Sequence, residues 1–240
     1  YSCDYRHHNI CEGVVREILL KQLSYKMSPK YVLNYFNIQG KGEIARFLFH
    51  CKGVEFTDNQ ISFQDWPSHK GDSSRFPLGQ MPTLEIDGNV ICQSAAIYKY
   101  LAETFGLNGA NPSERLVINQ VCETLNDFWN EYVEIWKSNG SNNDEKKAAI
   151  AEFLVKETTK LKFTFIENLL KQNHDGHGYF VGDSISLGDL VFFHITGMAD
   201  KSLLNDFPLL AELNDRVRHS AELKSYLDSR THPPFSIFHS

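Results

Sequence analysis

Tyr35 closes a short apolar stretch, Tyr31-Val32-Leu33-Asn34-Tyr35-Phe36, and stands just ahead of a helical pattern. A phenol in that place carries one proton that can be aimed at an anion. Some forty-five residues on comes Gly79-Gln80-Met81-Pro82, and then Gln93-Ser94 at the opening of another helix. A cis proline at a strand entry leaves the N–H and C=O of the preceding residue open, so Met81 can pair with an extended peptide as an added strand would. The unpaired N–H groups and positive dipole end of a helix at Gln93 and Ser94 favour a carboxylate. Together the three clusters describe a pocket for a small thiol peptide, with the phenol directed at its sulfur. Taken singly, each has an ordinary structural reading: a core tyrosine, a trans Met-Pro strand entry and a serine cap.

These residues need particular elements to hold them. The stretch from Tyr31 to Phe36 is β-branched and aromatic enough for a buried strand, and Ile44, Ala45, Phe47, Leu48 and Cys51 repeat at helical spacing before Gly53 stops the helix. A second strand is expected over Val54 to Ile61, which makes a βαβ unit with parallel pairing. After a polar loop from Ser62 to Pro77, the runs Thr83 to Ile86 and Asn89 to Cys92 flank the hairpin signal Asp87-Gly88. Ser94 reads as the N-cap of a helix carrying Ala95, Ile97, Tyr98, Leu101 and Ala102, with Gly106 beyond its end. The order βαβ, then ββα, predicts an α+β thioredoxin-like module.

Past Gly106 the strands stop, and the Asn, Gly and Pro of Leu107 to Pro112 read as a linker into an all-α domain. Apolar residues at spacings of three and four predict one helix over Ser113 to Lys137 and a second, antiparallel one over Lys146 to Gln172. Ser186-Leu187-Gly188-Asp189 is a capping box opening the helix Leu190 to Met198, and shorter helices are expected over Pro208 to His219 and Ala221 to Ser229. The resulting division is an extension over 1–29, a thioredoxin-like domain over 30–107, a helical domain over 113–232 and a tail over 233–240.

The 240 residues suffice for two modest domains, and 42% hydrophobic content suffices for a core. A net charge of -6 with mixed surface charge argues against nucleic acid or an acidic membrane as the partner. No run approaches the ~20 apolar residues of a membrane span. The five cysteines form no CxxC pair and no metal-ligand spacing with the histidines. Cys51, Cys92 and Cys122 fall on apolar faces and read as small buried hydrophobes, whereas Cys3 and Cys11 could pair in an oxidising compartment. A thiol–disulfide oxidoreductase would need a cysteine near Asn37 to Gly40, and there is none.

The stretch from Tyr35-Phe36-Asn37 through Gly40-Lys41-Gly42-Glu43, the run Gln64-Asp65-Trp66-Pro67, Gly79-Gln80-Met81-Pro82, Gln93-Ser94, and Glu123-Thr124-Leu125-Asn126-Asp127-Phe128 together resemble a sigma-class glutathione transferase of the glutathione-dependent prostaglandin D synthase type. The resemblance runs from about Lys30 to Pro233. It implies glutathione as co-substrate, with no metal required, and Tyr35 as the group that activates the thiol. A free thiol titrates near ~8.5, and lowering that by about two units takes roughly 2.7 kcal/mol, which one charge-assisted hydrogen bond of about 1.5 to 3 kcal/mol nearly supplies.

The resemblance further implies that Met81, beside Pro82, binds the cysteinyl backbone of glutathione and that Gln93 and Ser94 take its γ-glutamyl carboxylate. Trp66 and Lys70, with Gln80 beside them, would meet the glycyl end. Asp127 would reach the α-amino group in the neighbouring subunit's pocket, which requires a homodimer. Lys41 stands where the family usually has Arg, keeping the charge that helps hold the sulfur but losing the planar fork of donors. Phe36, Ile38, Trp129 and Trp136 would form the apolar wall for the electrophile, and the implied reactions are conjugation of hydrophobic electrophiles and isomerisation of prostaglandin H to D. The alternative is a non-catalytic ligand carrier or structural protein, since sigma-type transferases also resemble lens structural proteins.

Residues 1 to 28 hold no apolar signal-peptide core, although Val14, Val15, Ile18, Leu19 and Leu23 form a helical stripe. Asn139-Gly140-Ser141 is a glycosylation sequon in the expected interhelical loop, and with the extension it points to secretion, against a cytoplasmic location.

Overall fold

The computed structural model describes residues 29–138 and 142–233. The extension's apolar stripe, Cys3, Cys11 and the sequon residue Asn139 lie outside the described residues. Strand β1 (Tyr31–Phe36) leads through a 3₁₀ turn over Gly40–Gly42 into helix α1 (Glu43–Lys52), which ends on Gly53 with φ 60°. Strand β2 (Thr57–Ile61) then pairs parallel to β1, with Tyr35 opposite Gln60. The sequence pattern placed this strand from Val54, but Val54 bonds back to the carbonyl of Phe49, so the first residues are spent on leaving the helix.

A short helix α2 (Trp66–His69) follows inside the segment read as a polar loop. Strands β3 (Thr83–Ile86) and β4 (Asn89–Cys92) form the hairpin across Asp87 and Gly88, both at positive φ. The sheet order is β2-β1-β3-β4, with β3 antiparallel to β1 and Asn34 opposite Thr83. This is the thioredoxin-like βαβ, ββα arrangement, closed by helix α3 (Ser94–Thr104).

The second half is helical. Helix α4 (Pro112–Ser138) is the long central element and packs on α7 (Leu187–Met198). The single helix expected from 146 to 172 is two, α5 (Asn143–Val155) and α6 (Glu157–Lys171), because Lys156 at ψ 144° leaves the helical region between them. The apolar spacing continues across that break, which is why the sequence hid it. Helices α8 (Pro208–Arg218) and α9 (Ala221–Ser229) complete nine α-helices among the described residues.

One continuous apolar cluster runs from Tyr31 to Tyr226, so the two halves share a core. Helix α1 is the common element, in contact with α3, α7 and α9. The start of α7 is fixed twice. The N–H of Leu187 donates to the carbonyl of Leu107 at 2.8 Å, and the buried Asp189 carboxylate accepts from the Ser186 hydroxyl (2.6 Å), the Ser186 N–H (2.8 Å) and the Phe180 N–H (2.9 Å). Asp189→Ala would leave two buried amides without acceptors, and a loss of about 3 kcal/mol in denaturant unfolding is expected. A change within ~0.5 kcal/mol would show that the capping box does not hold this junction.

Candidate functional site

The ends of the parallel strands β1 and β2, the turn after β1, and the openings of β3 and α3 meet on one side of the sheet. Open α/β sheets present ligands at the carboxyl ends of their parallel strands, and Tyr35 lies at that end. The larger concavity of about 580 Å³ between Pro29–Tyr31 and Gly53–Thr57 is at the opposite, amino end of the same strands, so its size does not make it the reaction site.

Tyr35 is 6% exposed, and its hydroxyl oxygen accepts a hydrogen bond from the Lys41 N–H at 2.8 Å. The turn comes this close because it has no side chains where it crosses the ring. A Cβ on Gly42 would fall 2.4 Å from the ring's Cδ1, and one on Gly40, where φ is +35°, would fall 2.5 Å from the hydroxyl oxygen. Burial raises the phenol above its ordinary value near 10, outweighing the Lys41 and Gly42 amides and the Arg46 cation, which favour the phenolate. The phenol therefore keeps its proton at neutral pH and remains a donor.

The turn itself is pinned from both domains. Arg46, fully buried, spends its five N–H donors on Asp58, Glu43 and the carbonyls of Phe36 and Ile38, the two residues flanking Asn37 after the strand. Its guanidinium also lies 5.7 Å from the centroid of the Tyr35 ring. From the helical domain, His194 donates from Nε2 to the Gly40 carbonyl at 2.7 Å. The chain's last described residues close the other edge, with the Gln39 N–H on the Pro233 carbonyl at 3.0 Å and the Gln39 amide on the His232 carbonyl at 2.9 Å. Arg46 and His194 escaped the sequence reading. The one available signal was an arginine set inside the apolar pattern Ile44, Ala45, Phe47, Leu48; nothing local marked His194.

In front of the turn are two small concavities of about 70 and 40 Å³ that share Lys41 and Ser94. The first is bordered by Gln80, Met81, Pro82 and Gln93, with Cys92 and Leu78 beside them. The Met81–Pro82 peptide is cis, and Met81 precedes the ladder, which begins at Thr83. Ser94 is the first residue of α3 rather than its N-cap. That place belongs to Gln93, held at φ 73° with no side-chain cap bond, so no side chain from the cap covers the first-turn amides. The second concavity is bordered by Gly40, Tyr98, Asn126, Trp129 and His194.

Trp66 packs on Phe36 and Phe76, at 5.8 and 5.0 Å between ring centroids, and Lys70 runs past Gly79 at the edge of the Gln80 segment. Asp127 is exposed on α4, next to Asn126, which donates to the Tyr98 hydroxyl at 3.1 Å. Lys41 touches Tyr35 through its backbone, and its side chain is exposed, so the contact shown is one that any non-proline residue would supply. Trp129 reaches the site, whereas Trp136 lies two turns further along α4 with the Lys146 ammonium 4.3 Å from its ring centroid and borders neither concavity. Phe36 stacks on Phe63 at 4.3 Å and Ile38 leans on Gly40; neither borders the two concavities. Among the described residues, no group of three or more His, Cys, Asp or Glu side chains could hold a metal ion.

A thioredoxin-like sheet with a buried tyrosine at its first strand end, joined to a helical domain that supplies the far wall, defines a class of two-domain folds. Residues 31–103 match the family Glutathione S-transferase, N-terminal domain, and residues 126–230 match Glutathione S-transferase, C-terminal domain. "Probable glutathione S-transferase 7" of Caenorhabditis elegans is 35% identical over 208 residues, covering 85% of this chain and 98% of that protein. "S-crystallin 4" of Enteroctopus dofleini is 29% identical over 217 residues, covering 86% and 100%. The solved "Fasciola hepatica sigma class GST" superposes with a TM-score of 0.76 at 28% identity, over 86% of this chain and 99% of that one. The chain belongs to the glutathione S-transferase family.

Two outcomes follow from this geometry. Burial lowers His194 to about 4 from an ordinary value near 6.5, so the neutral ring is the folded form. Its contribution to stability is complete above about pH 6.5 and is lost as pH falls toward 4, on the order of 3 kcal/mol in all. His194→Gln keeps a donor for Gly40 and should show a shallower loss of denaturant midpoint between pH 7 and 4.5; equal slopes would remove His194 from the account. Gly42→Ala should displace the Tyr35 ring and lower turnover at least ~tenfold, and wild-type turnover would mean that the ring's position is unimportant.

Proposed function

We propose that this chain is a homodimeric glutathione transferase that lowers the pKa of the bound thiol through Tyr35 and adds the thiolate to hydrophobic electrophiles. The observation carrying this reading is the Lys41 N–H on the Tyr35 hydroxyl oxygen at 2.8 Å. With an acceptor site of that oxygen taken and the phenol kept neutral, its proton is left to donate. A thiolate is stabilised by such a donor and a neutral thiol hardly at all, so the hydrogen bond favours the nucleophilic form.

The surroundings fit the rest of the tripeptide. The uncapped start of α3 at Gln93 and Ser94 suits the γ-glutamyl carboxylate, and Met81, lying before the ladder, would pair through its backbone with the cysteinyl unit. Gln80 borders the first concavity, and Trp66 and Lys70, which line neither concavity, would have to reach the glycyl carboxylate from beside it. Asp127, exposed on α4, would meet the α-amino group of the tripeptide bound in a neighbouring subunit's pocket. Trp129 offers the electrophile an apolar surface. That lining gives prostaglandin H no preference over other apolar electrophiles, so the reading stops at conjugation.

The S-crystallin likeness supports a second reading, a glutathione-binding protein without turnover. Tyr35→Phe separates the two. In a transferase, the mutant should hold glutathione within about threefold of wild type while the rate near pH 7 falls ten- to a hundredfold, matching the loss of ~1.5 to 3 kcal/mol. The inflection of rate against pH should rise toward ~8.5, the free thiol's value. Equal rates in the two proteins would exclude Tyr35 as the activating group, and retention on immobilised glutathione with no turnover in wild type would favour the crystallin-like reading.

A further inference from the structure

A buried amide on the far face of the sheet has every hydrogen-bonding position filled. Asn34 sits within β1, fully buried, with Asn59 of β2 and Thr83 of β3 directly opposite it. Its Nδ2 donates to the Thr83 hydroxyl at 3.2 Å and to the Glu85 carboxylate at 2.9 Å, and its Oδ1 accepts from the Asn59 amide at 2.6 Å and the Arg75 guanidinium at 2.8 Å. Two donors and two lone pairs are all that a side-chain amide has. Side chains alternate along a strand, so Asn34 is turned away from the face that its neighbour Tyr35 occupies.

Two of these partners are the flanks of one loop. Arg75 stands immediately before the segment 76–82 and Thr83 immediately after it, so a single side chain anchors both ends. That segment carries Leu78, Gln80, Met81 and Pro82, which border the first concavity in front of the turn. Its internal bonds are local: the Phe76 N–H donates to the Asp72 carbonyl and the Gly79 N–H to the Phe76 carbonyl, both at 2.8 Å. Neither reaches the sheet. Arg75 also lies 3.6 Å from the Glu85 carboxylate, which closes the circuit from Asn34 through Arg75 to Glu85. An aliphatic residue at position 34 would suit a buried strand equally well and would hold none of these partners.

We propose that Asn34 is a positioning residue for peptide binding: by joining Arg75 to Thr83 it holds the 76–82 loop, and with it the Gln80 and Met81 backbone, in the form that the tripeptide requires. The inference rests on the glutathione reading above and adds a determinant that does not touch the ligand. Thiol activation by Tyr35 is on the other face, so affinity and turnover at saturation should separate.

The test titrates glutathione into the full chain by calorimetry, measures steady-state rates over the same range, and follows hydrogen exchange over residues 76–82 without ligand. Arg75→Ala removes one anchor at a partly exposed position, and Asn34→Asp removes both Nδ2 donors and sets a carboxylate against Glu85. Each should weaken glutathione at least ~fivefold with a matching rise in KM, leave kcat within about twofold, and speed exchange in 76–82 at least ~tenfold. Adding Glu85→Gln to Asn34→Asp reverses the direction of that bond at constant net charge, and affinity should return to within about twofold of wild type. If the thermal midpoint shows that Asn34→Asp has lost its fold, Arg75→Ala decides the matter alone. Wild-type affinity in the folded single variants, unchanged exchange in 76–82, a fall in kcat at constant KM, or a folded double variant no better than Asn34→Asp would each overturn the proposal. Failure of wild type to bind glutathione would sink the transferase reading instead, and the exchange comparison would still decide whether Asn34 holds the loop.

Discussion

The hydrogen bond from the Lys41 amide to the Tyr35 hydroxyl sets the terms for the rest of this site. A phenol can give one proton and accept on its oxygen. Taking an acceptor site from the backbone, inside a turn whose two glycines let the main chain close on the ring, gives the hydroxyl a defined direction. Burial works with it by keeping the proton on the oxygen. A more exposed tyrosine would have the same chemistry and no fixed aim.

That bond is only as good as the turn that makes it, and the turn is held by long-range contacts. Arg46 ties the carbonyls of Phe36 and Ile38 to Glu43 and Asp58, and Glu43 in turn accepts from the Tyr226 hydroxyl and Arg230 of the helical domain. A buried ion cluster of this kind adds little net stability, because desolvation offsets much of the attraction, but removing one partner leaves a stranded charge. Its value here is positional. His194, Tyr226, Arg230 and Pro233 all reach back from the second half of the chain to the few residues between Phe36 and Glu43. Domain packing and the geometry of this turn are therefore one constraint.

Much of this was legible in the residues because local signals agreed. Gly53 after α1, Asp87-Gly88 between β3 and β4, and the Ser186 to Asp189 box each specify a conformation by their own chemistry, and each appears where expected. The failures have equally local causes. Apolar spacing runs unbroken through Lys156, so the α5–α6 junction was invisible, and Gln93 takes the cap place at positive φ, which its residue type does not favour. Trp136 carried the same apolar signal as Trp129, but two turns of helix carry it away to Lys146. Spacing along one helix gives a face; it does not say which neighbour that face meets at each level.

The sequence by itself determined the elements, their order and the residue types at the strand end, the Met-Pro entry and the start of α3, because these depend on backbone preferences and side-chain periodicity over a few residues. Tertiary structure alone decided that Lys41 acts on Tyr35 through its amide, that a histidine over 150 positions away holds the Gly40 carbonyl, and that Arg75 and Thr83 meet on the Asn34 amide. The physical reason is that burial and hydrogen-bond partnership are properties of the packed chain: which donor meets which acceptor is fixed only when distant segments close over the same space.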